Sequence, residues 1–267
     1  MKIIKNIFEL NKAIKNYKNI GFVPTMGGIH KGHVSLIKIS QKNNRKTIVS
    51  IFINPTQFNE KKDFKKYPRN IKKDISILKK HKVSYLFLPE VEEIYKKKMK
   101  NFFLNKSDKI LCAKYRKGHF EGVLNVMNRL LSIIKSKNVY MGEKDFQQCN
   151  LIKKIIGKKY NVKIIFCPII REKNKIALST RNKLLTNSAI KKVSKIANKL
   201  IKLKEISKTY NLINLSKIKK NLENKYNIQI DYLEFRDEKK LKLNNFKSKY
   251  RLFIAYYINN VRLIDNF

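Results

Sequence analysis

The chain has only three cysteines, Cys112, Cys149 and Cys167, an odd number with no C-x-x-C pair. That pattern argues against a disulfide framework and against a zinc cluster of the usual spacing, and it suits a reducing cytoplasm. Glycine and proline are also scarce, 8 and 5 in 267 residues. They are too few and too dispersed for a disordered or low-complexity chain. Long apolar runs are missing: stretches such as residues 51–53 fall far short of the roughly 20 residues that span a bilayer. Residues 1–18 contain no signal-peptide core. Acidic residues number 19 against 62 Lys and Arg, which leaves a formal net charge of +43.

What is present reads as a compact, water-soluble globular chain. The hydrophobic fraction of 43% and charged fraction of 30% lie near globular averages, and the length suits one large domain with a smaller one. The charge would ordinarily point to nucleic acid or an anionic membrane. Here Lys far outnumbers Arg and is spread evenly with Ile and Asn, as at residues 43–46 and 96–98, the excess that AT-rich codons impose. No nucleic-acid-binding signature accompanies it, so neither a specific nucleic acid nor a membrane is expected as partner. Ile4, Ile7, Phe8, Ala13, Ile14 and Tyr17 have the spacing of an amphipathic helix packed on the body of the protein. Glu9 and the modest length count against a membrane-surface helix.

Short apolar runs at residues 20–23, 48–53, 85–88, 139–141 and 162–166 read as buried strands. Helical spacing separates them: Ile71, Ile75 and Leu78 in one segment, and Val123, Val126, Met127, Leu130, Leu131 and Ile134 in another. Continuous apolar strands alternating with helices predict a doubly wound parallel α/β sheet over residues 1–168. Beyond it, helical stretches at 188–203 and 216–226 precede alternating segments at 231–235 and 252–258. These predict a smaller C-terminal α+β domain over 169–267. No internal repeat is visible, and residues 171–181 fall at the junction.

The polar clusters each begin where an apolar strand ends. Residues 20–23 run into Pro24, Thr25, Met26, Gly27, Gly28, Ile29, His30, Lys31, Gly32 and His33. Residues 48–53 run into Asn54, Pro55, Thr56, Gln57 and Phe58, and residues 139–141 into Gly142, Glu143, Lys144 and Asp145. Ligands of open parallel sheets bind outside the carboxyl ends of the strands, so these clusters are expected to share one cleft. Gly27 and Gly28 allow a tight turn, and His30 and His33 stand one helical turn apart at a helix start, where free N–H groups and imidazoles both suit phosphate. The G-x-x-x-x-G-K-[ST] phosphate loop is absent. An isolated H-x-x-H pair is as readily a helix cap as a ligand pair, but the glycine turn and the preceding strand favour the ligand. A zinc site lacks a third ligand and the H-E-x-x-H spacing.

At this cluster the chain resembles a known family. VPTMGGIHKGHVSLI is similar to the signature of the pantothenate synthetases, members of a nucleotidyltransferase superfamily with a HIGH-type histidine motif. The likeness continues in order through VSIFINPTQFNEKKDFKKYPR, KGHFEGVLNVMNRLL, VYMGEKDFQQ, REKNKIALSTRNKLL and VRLIDN. The resemblance implies an ATP-dependent ligase that joins pantoate to β-alanine through a pantoyl-adenylate, with Mg²⁺ accompanying ATP, in a cytoplasmic homodimer whose C-terminal domain acts as a lid.

It implies an ATP site of Met26, Gly27, Gly28, Ile29, His30, Lys31, Gly32, His33, Gly142, Glu143, Lys144, Asp145, Ile170, Leu178, Ser179, Thr180 and Arg181. His33, with His30 and Lys144, carries the catalytic assignment, and His33 is the residue usually described as the proton donor. Gln57 would hold pantoate and β-alanine, and Gln148 pantoate. Gln offers both a donor and an acceptor for hydroxyl and carboxylate groups, while Lys144 and Arg181 bring positive charge to phosphate. The chain departs from the family at Lys31, where an acid is common, at Glu121, at Thr180 in place of a second Ser, and in a shortened segment after Tyr95.

Overall fold

The computed structural model of the chain describes residues 1–58, 64–65, 67–209, 213–243 and 249–267. Part of the motif that follows Gln57, residues 59–63 and 66, lies outside them. The chain divides into two compact units, Met1–Ile169 and Ile170–Phe267.

The first unit is a six-stranded parallel sheet. Its strands are β1 (Lys2–Ile4), β2 (Ile20–Thr25), β3 (Lys46–Ile51), β4 (Tyr85–Phe87), β5 (Asn138–Gly142) and β6 (Lys163–Cys167), in the order β1-β4-β3-β2-β5-β6. The main helices are α1 (Ile7–Ile14), α2 (Lys31–Asn43), α3 (Ile71–Lys80), α4 (His119–Ile134) and α5 (Phe146–Ile152). In the centre of the sheet, Phe22 lies opposite Ile48 on one side and Val139 on the other. All three are fully buried, which is why the central strands read as continuous apolar runs rather than alternating ones. From β2 the chain steps outward through β3 to β4, whereas β5 and β6 extend the sheet the other way. The carboxyl ends of β2 and β5 therefore flank the topological switch point.

The start of the chain differs from the single amphipathic helix that its spacing suggests. Lys2–Ile4 joins the sheet edge beside β4, with Ile4 opposite Phe87 and the Leu88 N–H donating to the Ile4 carbonyl at 2.8 Å. The helix begins only at Ile7, where Asn6 Oδ1 accepts from the Glu9 N–H at 2.8 Å. Leu10 and Ile14 are its buried residues, while Phe8 is 80% exposed. Edge pairing prevails here because Asn6 favours a helix N-cap over a helix interior.

Helix α3 shows how local sequence sets an element. Asn70 caps it, with Oδ1 accepting from the Lys73 N–H at 3.0 Å, and Lys79 and Lys80 lie in its last turn, where the helix dipole favours cations. Leu78 is fully buried in a cluster with Val49, Val83 and Leu86. Burying such a side chain contributes roughly 1.5–3 kcal/mol.

The second unit is an antiparallel sheet of β7 (Gln229–Asp237), β8 (Tyr250–Ile258) and β9 (Val261–Asn266) with helices α6 (Asn187–Ile206) and α7 (Leu215–Tyr226). Thr186 and Asn214 supply the N-caps. Val193, Ile196 and Leu200 from α6 and Leu222 from α7 share a core with Ile230, Leu252 and Ile254. The parallel α/β sheet followed by a small α+β sheet is the architecture expected from the strand and helix spacing.

Candidate functional site

The loop after β2 is folded around a buried carboxylate. Gly27 and Gly28 have φ of 79° and 63°, a left-handed conformation that side chains resist. The Gly28 and Ile29 N–H groups each donate at 2.8 Å to Asp74, one to each carboxylate oxygen. Asp74 is only 3% exposed. A Cβ on Gly27 would stand 3.0 Å from Asp74 Oδ2 and 3.2 Å from Ile51 Cγ2. Thr25 Oγ1 completes the turn, donating to the Ser50 carbonyl at 2.8 Å and accepting from the Gly27 N–H at 3.1 Å.

The turn delivers the chain into α2 with His30 as N-cap. Nδ1 of His30 accepts from the Gly32 N–H at 3.1 Å, and Nδ1 of His33 accepts from the His30 N–H at 3.4 Å. The two rings lie 4.1 Å apart between centroids. Because each Nδ1 accepts, the proton of each neutral ring sits on Nε2. The capping role and the ligand role are thus compatible: Nδ1 serves the helix, and Nε2 carries a donor proton.

The loop after β3 is held by Asn54, 1% exposed. Its Nδ2 donates to the Gly122 carbonyl at 3.1 Å and to Gln57 Oε1 at 3.3 Å, and its Oδ1 accepts from the Tyr95 hydroxyl at 2.7 Å. Burial raises the Tyr95 hydroxyl above its ordinary range, against the opposing effect of its hydrogen bonds and Arg129. Gln57 is itself buried, and its Nε2 lies against Met26 Sδ.

After β5, Gly142 leads into a short helical turn, Glu143–Asp145, in which Lys144 Nζ is 3.4 Å from Asp145 Oδ1. The Cys149 thiol donates to the Gly142 carbonyl at 3.3 Å. Burial, reinforced by the Asp145 and Glu143 carboxylates, pushes that thiol well above its usual range. Gln147 and Gln148 diverge: Gln147 is buried and grips the backbone at both Ile110 and Cys112, while Gln148 is half-buried.

Strands β3, β2 and β5 are consecutive in the sheet and parallel, so these three loops leave from the same end of it. That brings Met26 to His33, Gln57 and Gly142 to Asp145 to one edge of the first unit, with Gln57 touching Met26. Gln148 lies in α5 of the first unit, and the remaining expected residues lie in the second unit. There the Leu178 N–H donates to the Ile170 carbonyl at 3.0 Å, and Ser179 Oγ accepts from the Arg181 N–H at 3.3 Å, capping the turn Thr180–Leu184. Arg171 anchors this stretch to β9 through a two-pronged pair with Asp265 at 2.7 and 2.9 Å.

Asp74 stands among the supporting groups although the sequence gives it no role, and Asn54, read there only as part of a polar cluster, is the residue that holds the Gln57 loop. Asp74 carried a signal: it is the one acid in the Lys-rich helix IKKDISILKK. Among the described residues no three His, Cys, Asp or Glu side chains group as a metal cage. None of their helices is long and apolar enough to cross a membrane.

A parallel sheet with its polar loops gathered at the strand-order reversal defines a doubly wound α/β protein. Within that class the chain belongs to the pantoate-beta-alanine ligase family, whose model matches residues 2–267. Curated relatives include the pantothenate synthetase of Flavobacterium psychrophilum, 42% identical over 97% of this chain and 98% of that protein. That of Endomicrobium trichonymphae is also 42% identical, over 100% and 97%. Among solved structures, the pantoate-beta-alanine ligase of Francisella tularensis, complexed with beta-gamma ATP and beta-alanine, is 40% identical with a TM-score of 0.86, covering 100% of this chain and 97% of that one. The pantothenate synthetase of Thermus thermophilus is 28% identical with a TM-score of 0.91, covering 100% and 99%.

Proposed function

We propose that this chain condenses pantoate with β-alanine at the expense of ATP, giving pantothenate, AMP and pyrophosphate through a pantoyl-adenylate. The observation that carries the reading is that the histidine-capped helix start, the Gln57 loop and the Gly142–Asp145 loop leave the same end of one parallel sheet beside its switch point, with Gln57 against Met26. Nε2 protons of His30 and His33, with the N-terminal amides of α2, suit the triphosphate. Lys144 supplies a further positive charge. Gln57 and Gln148 offer amides to the hydroxyl and carboxylate groups of pantoate, and Gln57 also to β-alanine.

In the first step the pantoate carboxylate attacks the α-phosphorus and pyrophosphate leaves. In the second the β-alanine amine attacks the acyl carbon and AMP leaves. No side chain needs to form a covalent bond, so the protein acts by holding reactants in line and stabilising phosphoryl charge. Mg²⁺ would neutralise charge on the triphosphate, held chiefly by phosphate oxygens and water, with Glu143 and Asp145 the carboxylates that the β5 loop brings to that edge. Ile170 and Leu178, Ser179, Thr180 and Arg181 of the second unit are assigned to ATP on the likeness of their motif. A homodimer in the cytoplasm completes the proposal.

The test is isotope exchange between pyrophosphate and ATP. Exchange that requires pantoate, followed by AMP release that requires β-alanine, is the expected result. Exchange that ignores pantoate and responds to another acceptor would overturn it.

A further inference from the structure

The motif KGHFEG contributes none of the proposed ligands, yet it leads from Lys117 into the start of α4, against the loop that carries Gln57. His119 is buried at the first position of that helix. Its Nδ1 lies 2.7 Å from the backbone carbonyl of Gln57, and its Nε2 lies 2.8 Å from Arg116 Nη1. Chemistry settles the direction of both bonds. A guanidinium has donors and no acceptor, so Nε2 must accept; a carbonyl oxygen has no proton, so Nδ1 must donate. Both partners select the same neutral tautomer, the reverse of the one that the caps impose on His30 and His33. Beside it, the loop and helix backbones touch: a Cβ on Gly122 would fall 2.3 Å from the Thr56 carbonyl oxygen. The Gln57 side chain starts from a residue whose carbonyl is clamped and ends against Met26.

We infer that Arg116 and His119 are positioning residues that fix the backbone of Gln57, and so aim its amide at the acid substrate, by holding His119 as the Nδ1-protonated tautomer. The inference deepens the proposed function and rests on Gln57 binding pantoate. Its physical basis is that a displacement of about 1 Å in a substrate-orienting group costs up to roughly a hundredfold in rate.

Three readings test it. In the wild-type chain, ¹⁵N–¹H correlation spectra of the His119 ring should place the proton on Nδ1; a proton on Nε2 would overturn the inference, whatever the enzyme's activity. His119→Phe should lower kcat/KM for pantoate by about ten- to a hundredfold, while the Kd for ATP changes by less than about twofold and far-ultraviolet circular dichroism is retained. His119→Asn, whose amide nitrogen reaches the place of Nδ1, should recover most of the loss, whereas His119→Gln, which puts its amide nitrogen at the place of Nε2, should not. An equal loss for pantoate and ATP, or no difference between Asn and Gln, would reduce the pair to packing and end the proposal. Wild-type protein lacking any pantoate-dependent exchange would refute the functional reading instead, and the ring spectrum would still judge the geometry.

Discussion

The Gly28 amide and the Asp74 carboxylate, 46 residues apart in sequence, are joined by a buried hydrogen bond of 2.8 Å. The second carboxylate oxygen accepts from Ile29 at the same distance. A neutral Asn at 74 could accept only one of these bonds and would present its NH₂ to the other amide. We expect Asp74→Asn to cost about 1–3 kcal/mol and to lower the melting temperature by several degrees. ATP affinity should fall with it, because the turn that Asp74 shapes feeds directly into His30. An unchanged melting temperature would show that the turn holds without the carboxylate.

His33 has two separable jobs. As the third residue of α2 it caps the His30 N–H through Nδ1, and in the proposed reaction its Nε2 proton serves phosphate. An Asn side chain reaches the place of Nδ1, where its amide oxygen can accept from the His30 N–H, and leaves the place of Nε2 empty. His33→Asn should therefore keep most of the wild-type thermal stability yet lose on the order of a hundredfold in pantoate-dependent exchange, typical of removing one preorganised donor. Near-wild-type exchange would confine His33 to the cap.

Gly122 is where α4 meets the Gln57 loop. An added Cβ would stand 2.3 Å from the Thr56 carbonyl oxygen and 2.9 Å from Gln57 Cα. Both neighbours are backbone, so no side-chain rotation relieves the clash, and overpacking of this kind costs about 1–3 kcal/mol. Gly122→Ala should destabilise the chain by that amount in denaturant titration and raise the KM for pantoate. Wild-type values of both would mean that the loop yields freely.

The strands of the sheet could be read from sequence because they are buried on both faces, so apolar content alone marks them. Phe22 and Val49 needed no partner information. The loops could be read because Gly, His and Asn concentrate where those strands stop. Asp74 and His119 were not legible as site residues: each acts through a backbone atom of a distant segment, a pairing that only the folded topology creates. The edge strand Lys2–Ile4 escaped for a related reason, since three residues carry too little periodicity to compete with the helical stripe that follows.

Cysteine reactivity offers a prediction whose sign follows from burial. Burial first, and then the Glu143 carboxylate, push the Cys167 thiol up to about 11; Cys149 is raised in the same direction by burial and by Asp145 and Glu143. At pH 8 a thiol with that pKa is ionised in only about one molecule in a thousand, and the thiolate is the nucleophile. Iodoacetamide at pH 8 should leave Cys149 and Cys167 unmodified in the folded chain and alkylate both in denaturant. The same shift links stability to alkalinity: the folded state keeps the Cys167 proton that the unfolded chain releases near its ordinary pKa of about 8.5. This contribution is complete below that value and is lost as pH rises toward 11. Melting temperatures recorded from pH 8 to pH 11 should fall, and Cys167→Ser, which removes the titrating thiol, should flatten part of that decline. Rapid native alkylation at pH 8 would show instead that solvent and reagent reach the sheet's carboxyl edge beside Gly142.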